Sequence, residues 1–163
     1  LIQEVTFDAK EFRPRSGSFQ LTQGAQQAGA SLEVVDGRVF GSRTLPDGRT
    51  EPFEAPFVPG ALVGEMLEVV VWLADLEEGL ELVLPVLQVE SGVAAYVRVR
   101  VLDRTRVTVP AGRYDAYRIE IEGARAAQLV YARVRVPHLI VKLETPGEPL
   151  VIELEAEAVG GGG

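Results

Sequence analysis

Acid–base, nucleophilic and metal chemistry each require particular side chains, and this sequence supplies few of them. It contains one histidine, His138, and no cysteine or asparagine. That inventory removes a cysteine nucleophile, a thiolate zinc site and a histidine-rich metal centre. A carboxylate calcium site needs a loop dense in Asp and Asn, which no segment offers. His138 directly follows Pro137. Beside a Ser or Thr it would be a general base; otherwise it is a structural imidazole at a strand junction. The carboxylate pairs Glu77 with Glu78 and Glu153 with Glu155 would serve a glycosidase-type mechanism only across a cleft, and their positions fit an exposed turn and a wet strand face. Gly17, Gly24, Gly29, Gly37, Gly41 and Gly48 punctuate strands, and no phosphate-binding glycine pattern leads into a helix. The expectation is no catalytic residue, no metal ligand and no cofactor.

The elements that would hold any site are clearest in the second half. Short segments there alternate apolar and charged residues with period two, as strands with one buried and one wet face do. Val97, Val99 and Val101 oppose Tyr96, Arg98 and Arg100, and Thr105, Val107 and Val109 resume the pattern after Asp103 and Arg104, which reads as a hairpin. Pro110, Ala111 and Gly112 turn the chain into a strand with Tyr117, Ile119 and Ile121 opposite Arg118, Glu120 and Glu122. Val130 to Val136 forms the next, ending at Pro137, which cannot donate to a ladder. Leu139, Val141 and Leu143 follow; Pro146 and Gly147 turn the chain, and Leu150, Ile152, Leu154 and Ala156 finish an antiparallel meander opposite Glu153, Glu155 and Glu157. Arginines of the earlier strands facing Glu120, Glu122, Glu153 and Glu155 predict a solvated charged face.

Between residues 61 and 76, Leu62, Met66, Val69, Val70, Leu73 and Leu76 take helical spacing, with Val63 and Leu67 widening the stripe and Glu65, Glu68 and Asp75 opposite. Pro59 and Gly60 suit its start and Gly79 its end. The first half predicts strands at 2–7, 18–22, 31–35 and 38–42, with Asp36-Gly37 a two-residue hairpin turn and a second turn at 46–49. Residues 51–59 hold three prolines with Phe53 and Phe57 among them. They predict an extended connector laying aromatic rings on the core, with a peptide-docking groove as the alternative. The fold class is mainly β: a curved antiparallel sheet or half-open barrel, with one helix packed on or plugging its concave face. Residues 1–159 read as a single domain and 160–163 as a flexible glycine tail.

At 163 residues with 47% hydrophobic content, the chain can bury a core without metal or disulfide support. Sixteen Lys and Arg against twenty-four Asp and Glu give a net charge of −8, which repels phosphate backbones and anionic lipid surfaces, so no nucleic-acid partner is expected. The longest apolar run, 69–74, falls far short of the roughly 20 residues of a membrane span. A first residue of Leu rather than Met fits either a removed export signal or a piece of a longer polypeptide.

Leu76 to Gly79, the apolar strand 80–87, the strand 96–101, the phrase Val109-Pro110-Ala111-Gly112-Arg113-Tyr114-Asp115 and a closing strand pair around Pro137 and Pro149 follow in a characteristic order. This order resembles a family of uncharacterised exported bacterial domains carrying a Val-Pro-Ala-Gly-x-[Phe/Tyr]-Asp strand signature, similar in fold to the lipoprotein-carrier half-barrels. The resemblance covers about half the chain. It implies the fold and a periplasmic or extracellular setting, and it assigns no catalytic residue.

The leading expectation is therefore a non-catalytic exported domain that binds an apolar ligand such as a lipid or acyl chain. Leu62, Met66, Val70, Leu73, Tyr117, Ile119 and Ile121 are the candidates for its apolar, ligand-facing surface. The alternatives are a self-assembling or accessory module pairing through sheet edges and, weakest, a hydrolase.

Overall fold

A computed structural model of the chain describes residues 2–23, 26–45, 47–64, 66–123, 127–149 and 151–156. Pro46 of the second turn, Glu65 of the helix, Leu150 and Glu157 of the last strand, and the glycine tail lie outside the described residues. The fold is mainly β, with two sheets and one helix, and neither sheet closes into a barrel. The chain divides into two compact units, Leu1–Leu67 with Leu84–Tyr96, and Glu68–Val83 with Val97–Gly163.

In the first unit β1 (Ile2–Asp8), β2 (Arg13–Gln23), β3 (Gln26–Val35), β4 (Arg38–Thr44) and β5 (Thr50–Pro56) form a five-stranded antiparallel meander in chain order. The Asp36-Gly37 turn is present, both residues having positive φ (48° and 76°), as a tight hairpin requires. The stretch expected as a connector is largely a strand. Pro52 and Pro56 are tolerated because β5 is an edge, with β4 on one side only. Phe53 does lay its ring on the core, in space left by Gly41 and Gly92 and against Val39. Beyond β5, β6 (Leu62–Val63) pairs in parallel with Val86 and Leu87 of β7 (Glu81–Leu87). Gly17 of β2 lies so near it that a Cβ there would meet a Val63 methyl at 3.0 Å. Leu32, Val39, Val63, Met66, Leu87 and Pro14 are among the solvent-excluded side chains of this unit.

The helix is shorter than its stripe. Instead of 61–76, α1 spans Met66–Leu73, because residues 62–63 are extended, Gly64 follows them, and the β-branched run 69–71 favours helix weakly. Val71 turns inward while Leu73, its last residue, is 70% exposed. Leu76 is buried, but beyond the helix.

The second unit holds the meander β8 (Ala94–Val109, from Val97 on), β9 (Gly112–Glu122), β10 (Gln128–Arg133), β11 (Ile140–Glu144) and β12 (Val151–Glu153). With β7 and β6 these complete the strand order β12-β11-β10-β9-β8-β7-β6. The hairpin expected around Asp103-Arg104 is absent. β8 runs straight through, and a bulge between Val101 and Asp103 absorbs the odd residue. The bulge moves Val107 and Val109 to the face opposite Val101: Val101 pairs with Ile119, whereas Val107 pairs with Tyr114 and packs with Ala116 and Val141. β10 ends at Arg133, before the expected Val136, which is exposed, and Val151 and Ile152 of the short β12 are exposed as well.

Candidate binding groove

The first unit carries a cleft of about 370 Å3 where two turns meet residues 57–61. Its making begins at Asp8. One carboxylate oxygen of Asp8 accepts the Lys10 and Glu11 backbone N–H groups at 2.9 and 3.2 Å, and the other accepts from Arg15 Nη2 at 2.6 Å. The Arg15 hydrogen bond first, and the two backbone donors next, hold this carboxyl below the usual carboxylate range. The turn so clamped puts Phe12 at φ 49°, a left-handed conformation costly for a bulky residue. The Phe12 ring then stands edge-on to Phe7, centroids 5.3 Å apart.

The opposite wall is fixed by backbone. The Phe57 N–H donates to Gly37 O at 2.9 Å, tying residue 57 to the β3–β4 turn. The Ala61 N–H donates to Val58 O at 3.0 Å, closing a turn through Gly60, whose φ of 78° admits glycine readily. Phe12, Phe57, Pro59 and Ala61 thereby line the cleft, with Glu11 and Arg13 at its rim. The Arg13 guanidinium lies 5.1 Å above the Phe57 ring. An adjoining open cleft is lined in part by Pro14, Val34, Val35 and Asp36. Apolar walls with one or two polar groups at the mouth are the usual make-up of a small-molecule site, and 370 Å3 lies at the small end of such sites.

The residues expected to face a ligand are placed otherwise. Leu62 and Met66 are core residues of the first unit. In the second, Tyr117 and Ile119 are buried, Val70 and Ile121 half-buried, and Leu73 exposed. Phe57 came from the proline-spaced aromatic stretch, and the docking-groove alternative pointed to its surroundings. Phe12 and Arg13 were missed. A bulky aromatic between a turn-forming Asp8 and Pro14 is the one local signal that marked them.

The expected charged face of the second unit is met in part: arginines face Glu120 and Glu122, Lys142 faces Glu153, and no described arginine pairs with Glu155. Arg100 meets Glu120 at 2.5 Å, Arg118 meets Asp103 at 2.5 Å, and Arg98 reaches Glu81 and Glu122 at 3.5 and 3.7 Å. Lys142 bonds Glu144 at 2.6 Å and Glu153 at 3.5 Å, which raises the lysine pKa and, with the Tyr131 hydroxyl at 2.9 Å, lowers that of Glu144. Burial, then the Glu144 contact, pushes Tyr131 up. His138 is buried at 3% exposure, its Nδ1 2.9 Å from Arg133 O and its ring edge-on to Tyr117. Because Arg133 O can only accept, Nδ1 carries the N–H that donates to it, and no described Ser or Thr hydroxyl bonds the ring. Among the described residues no three His, Asp or Glu side chains gather to hold a metal, and no helix is long and apolar enough to cross a membrane.

Fold and groove together define a two-sheet β protein with a small aromatic-walled cleft. The chain belongs to the DUF3108 family, described as proteins of unknown function, which it matches over residues 3–155. No curated protein and no solved structure matches it.

Proposed function

We propose that the protein is a non-catalytic binding domain of the cell envelope or extracellular space, and that it holds a small apolar molecule, an acyl chain above all. The observation that carries this reading is the cleft between Phe12 and Phe57, whose aromatic walls are held by a strained turn. Strain of that kind costs on the order of 1–3 kcal/mol and gathers at ligand clamps. The likeness to lipoprotein-carrier half-barrels and the exported setting belong to the same proposal and rest on the Val109 to Asp115 phrase.

A titration with Nile red, whose emission moves to the blue in apolar surroundings, tests it. The expected result is saturable, blue-shifted emission that decanoate displaces and that the Phe57→Ser variant weakens. Emission unchanged by the protein, or equal in both proteins, would defeat the reading.

A second reading, self-association through a sheet edge, has one observation in its favour. Of the four edge strands, β5 is blunted by Pro52 and Pro56, β12 has three residues and β6 two, whereas β1 has seven. Proline and shortness protect edges from pairing, so Ile2 to Thr6, ahead of the bulge at Thr6/Phe7, is the stretch left open to another strand.

A further inference from the structure

The first unit contains five arginines, and four of them are paired with carboxylates. Arg15 bonds Asp8 at 2.6 Å, Arg38 bonds Glu54 at 2.5 Å, Arg43 bonds Glu51 at 3.1 Å and Arg49 bonds Asp47 at 2.7 Å. Arg13 is the exception. Its guanidinium has no carboxylate partner among the described residues and lies over the face of Phe57. In a chain with eight more acidic than basic side chains, this arginine without an acidic partner sits at the mouth of the apolar cleft.

We infer that the ligand of the groove is an apolar chain ending in a carboxylate, and that Arg13 receives that carboxylate while Phe12 and Phe57 hold the chain. This rests on the binding reading above and deepens it. A guanidinium resting over an aromatic ring with no carboxylate partner keeps N–H donors for a ligand, and a pair of them matches two carboxylate oxygens. The charge at the rim sets the number of negative charges the site accepts. Glu11 lies at the same rim and Asp36 in the adjoining cleft, both exposed, with the Asp8–Arg15 pair beside them. Arg13 is the one cation among the residues lining the cleft, with Lys10 in the same turn set against Glu11, and a single cation in contact suits a monoanion over a dianionic phosphate.

The experiment compares decanoate with 1-decanol, equal in chain length and different in charge, by isothermal titration calorimetry at pH 8 on the full chain and its Arg13→Gln variant. Wild-type protein is expected to bind decanoate about tenfold more tightly than 1-decanol, the scale of one charge-assisted contact. R13Q is expected to lose that preference and to bind the two ligands with equal affinity. Equal binding of the two by wild-type protein overturns the inference and leaves an uncharged apolar groove standing. Binding of neither removes the groove reading as well. A preference that survives in R13Q overturns the assignment to Arg13.

Discussion

Asp8 and Phe12 work against each other in the β1–β2 turn. The Asp8 carboxylate gathers two backbone N–H groups and Arg15, and that gain holds Phe12 in a conformation it disfavours. Phe12→Gly relieves the backbone and removes the Phe7 contact, two effects of about 1 kcal/mol each and of opposite sign. Chemical denaturation should therefore show stability nearly unchanged, whereas decanoate affinity should fall at least about tenfold, because a wall of the groove is gone. Asp8 gives a pH signature. Its folded pKa lies below the ordinary 3.8, so its contribution is fully present above that value and is lost as pH falls through the lowered one. Asp8→Asn should flatten the acid limb of the stability–pH curve below pH 3.8, and an unchanged limb would contradict the assignment. Phe57 was legible because prolines set it apart, and His138 because it is unique. Phe12 and Arg13 were not, since a strained turn has no periodicity and a missing ion pair cannot be seen before its neighbours are placed.

Among the elements, strands were readable wherever one face is wet, because period two then separates Val from Arg, as in β9. Two misreadings have physical causes. Asp103-Arg104 resembled a turn, but Asp103 is held across the ladder by Arg118, so β8 continues and its extra residue becomes a bulge that exchanges faces. The 61–76 stripe mixed residues of a short strand, a two-turn helix and the segment after it, all apolar because all are next to core. Edge strands bring a prediction of their own. Restoring two N–H groups in β5 with Pro52→Val and Pro56→Val should promote self-association in light scattering, since those prolines blunt that edge. Should wild-type protein already dimerise, Val5→Pro in β1 should return it to monomer; a dimer indifferent to β1 would remove the edge reading.

For the whole molecule, composition had excluded more chemistry than it suggested, and charge counted over the chain concealed the useful exception. In the second unit Arg98, Arg100, Arg118 and Lys142 each answer a carboxylate. The proposed binding site is a small apolar space with Arg13 the one cation among its lining residues. The most direct test is a backbone-amide NMR titration of the full chain with decanoate, which reports where binding occurs as well as whether it does. A groove-bound chain should shift the amides of Phe12, Arg13, Phe57 and Ala61 together, saturably and with a common dissociation constant. No shifts at millimolar decanoate, or shifts scattered over both sheets without saturation, would contradict a binding groove in this fold.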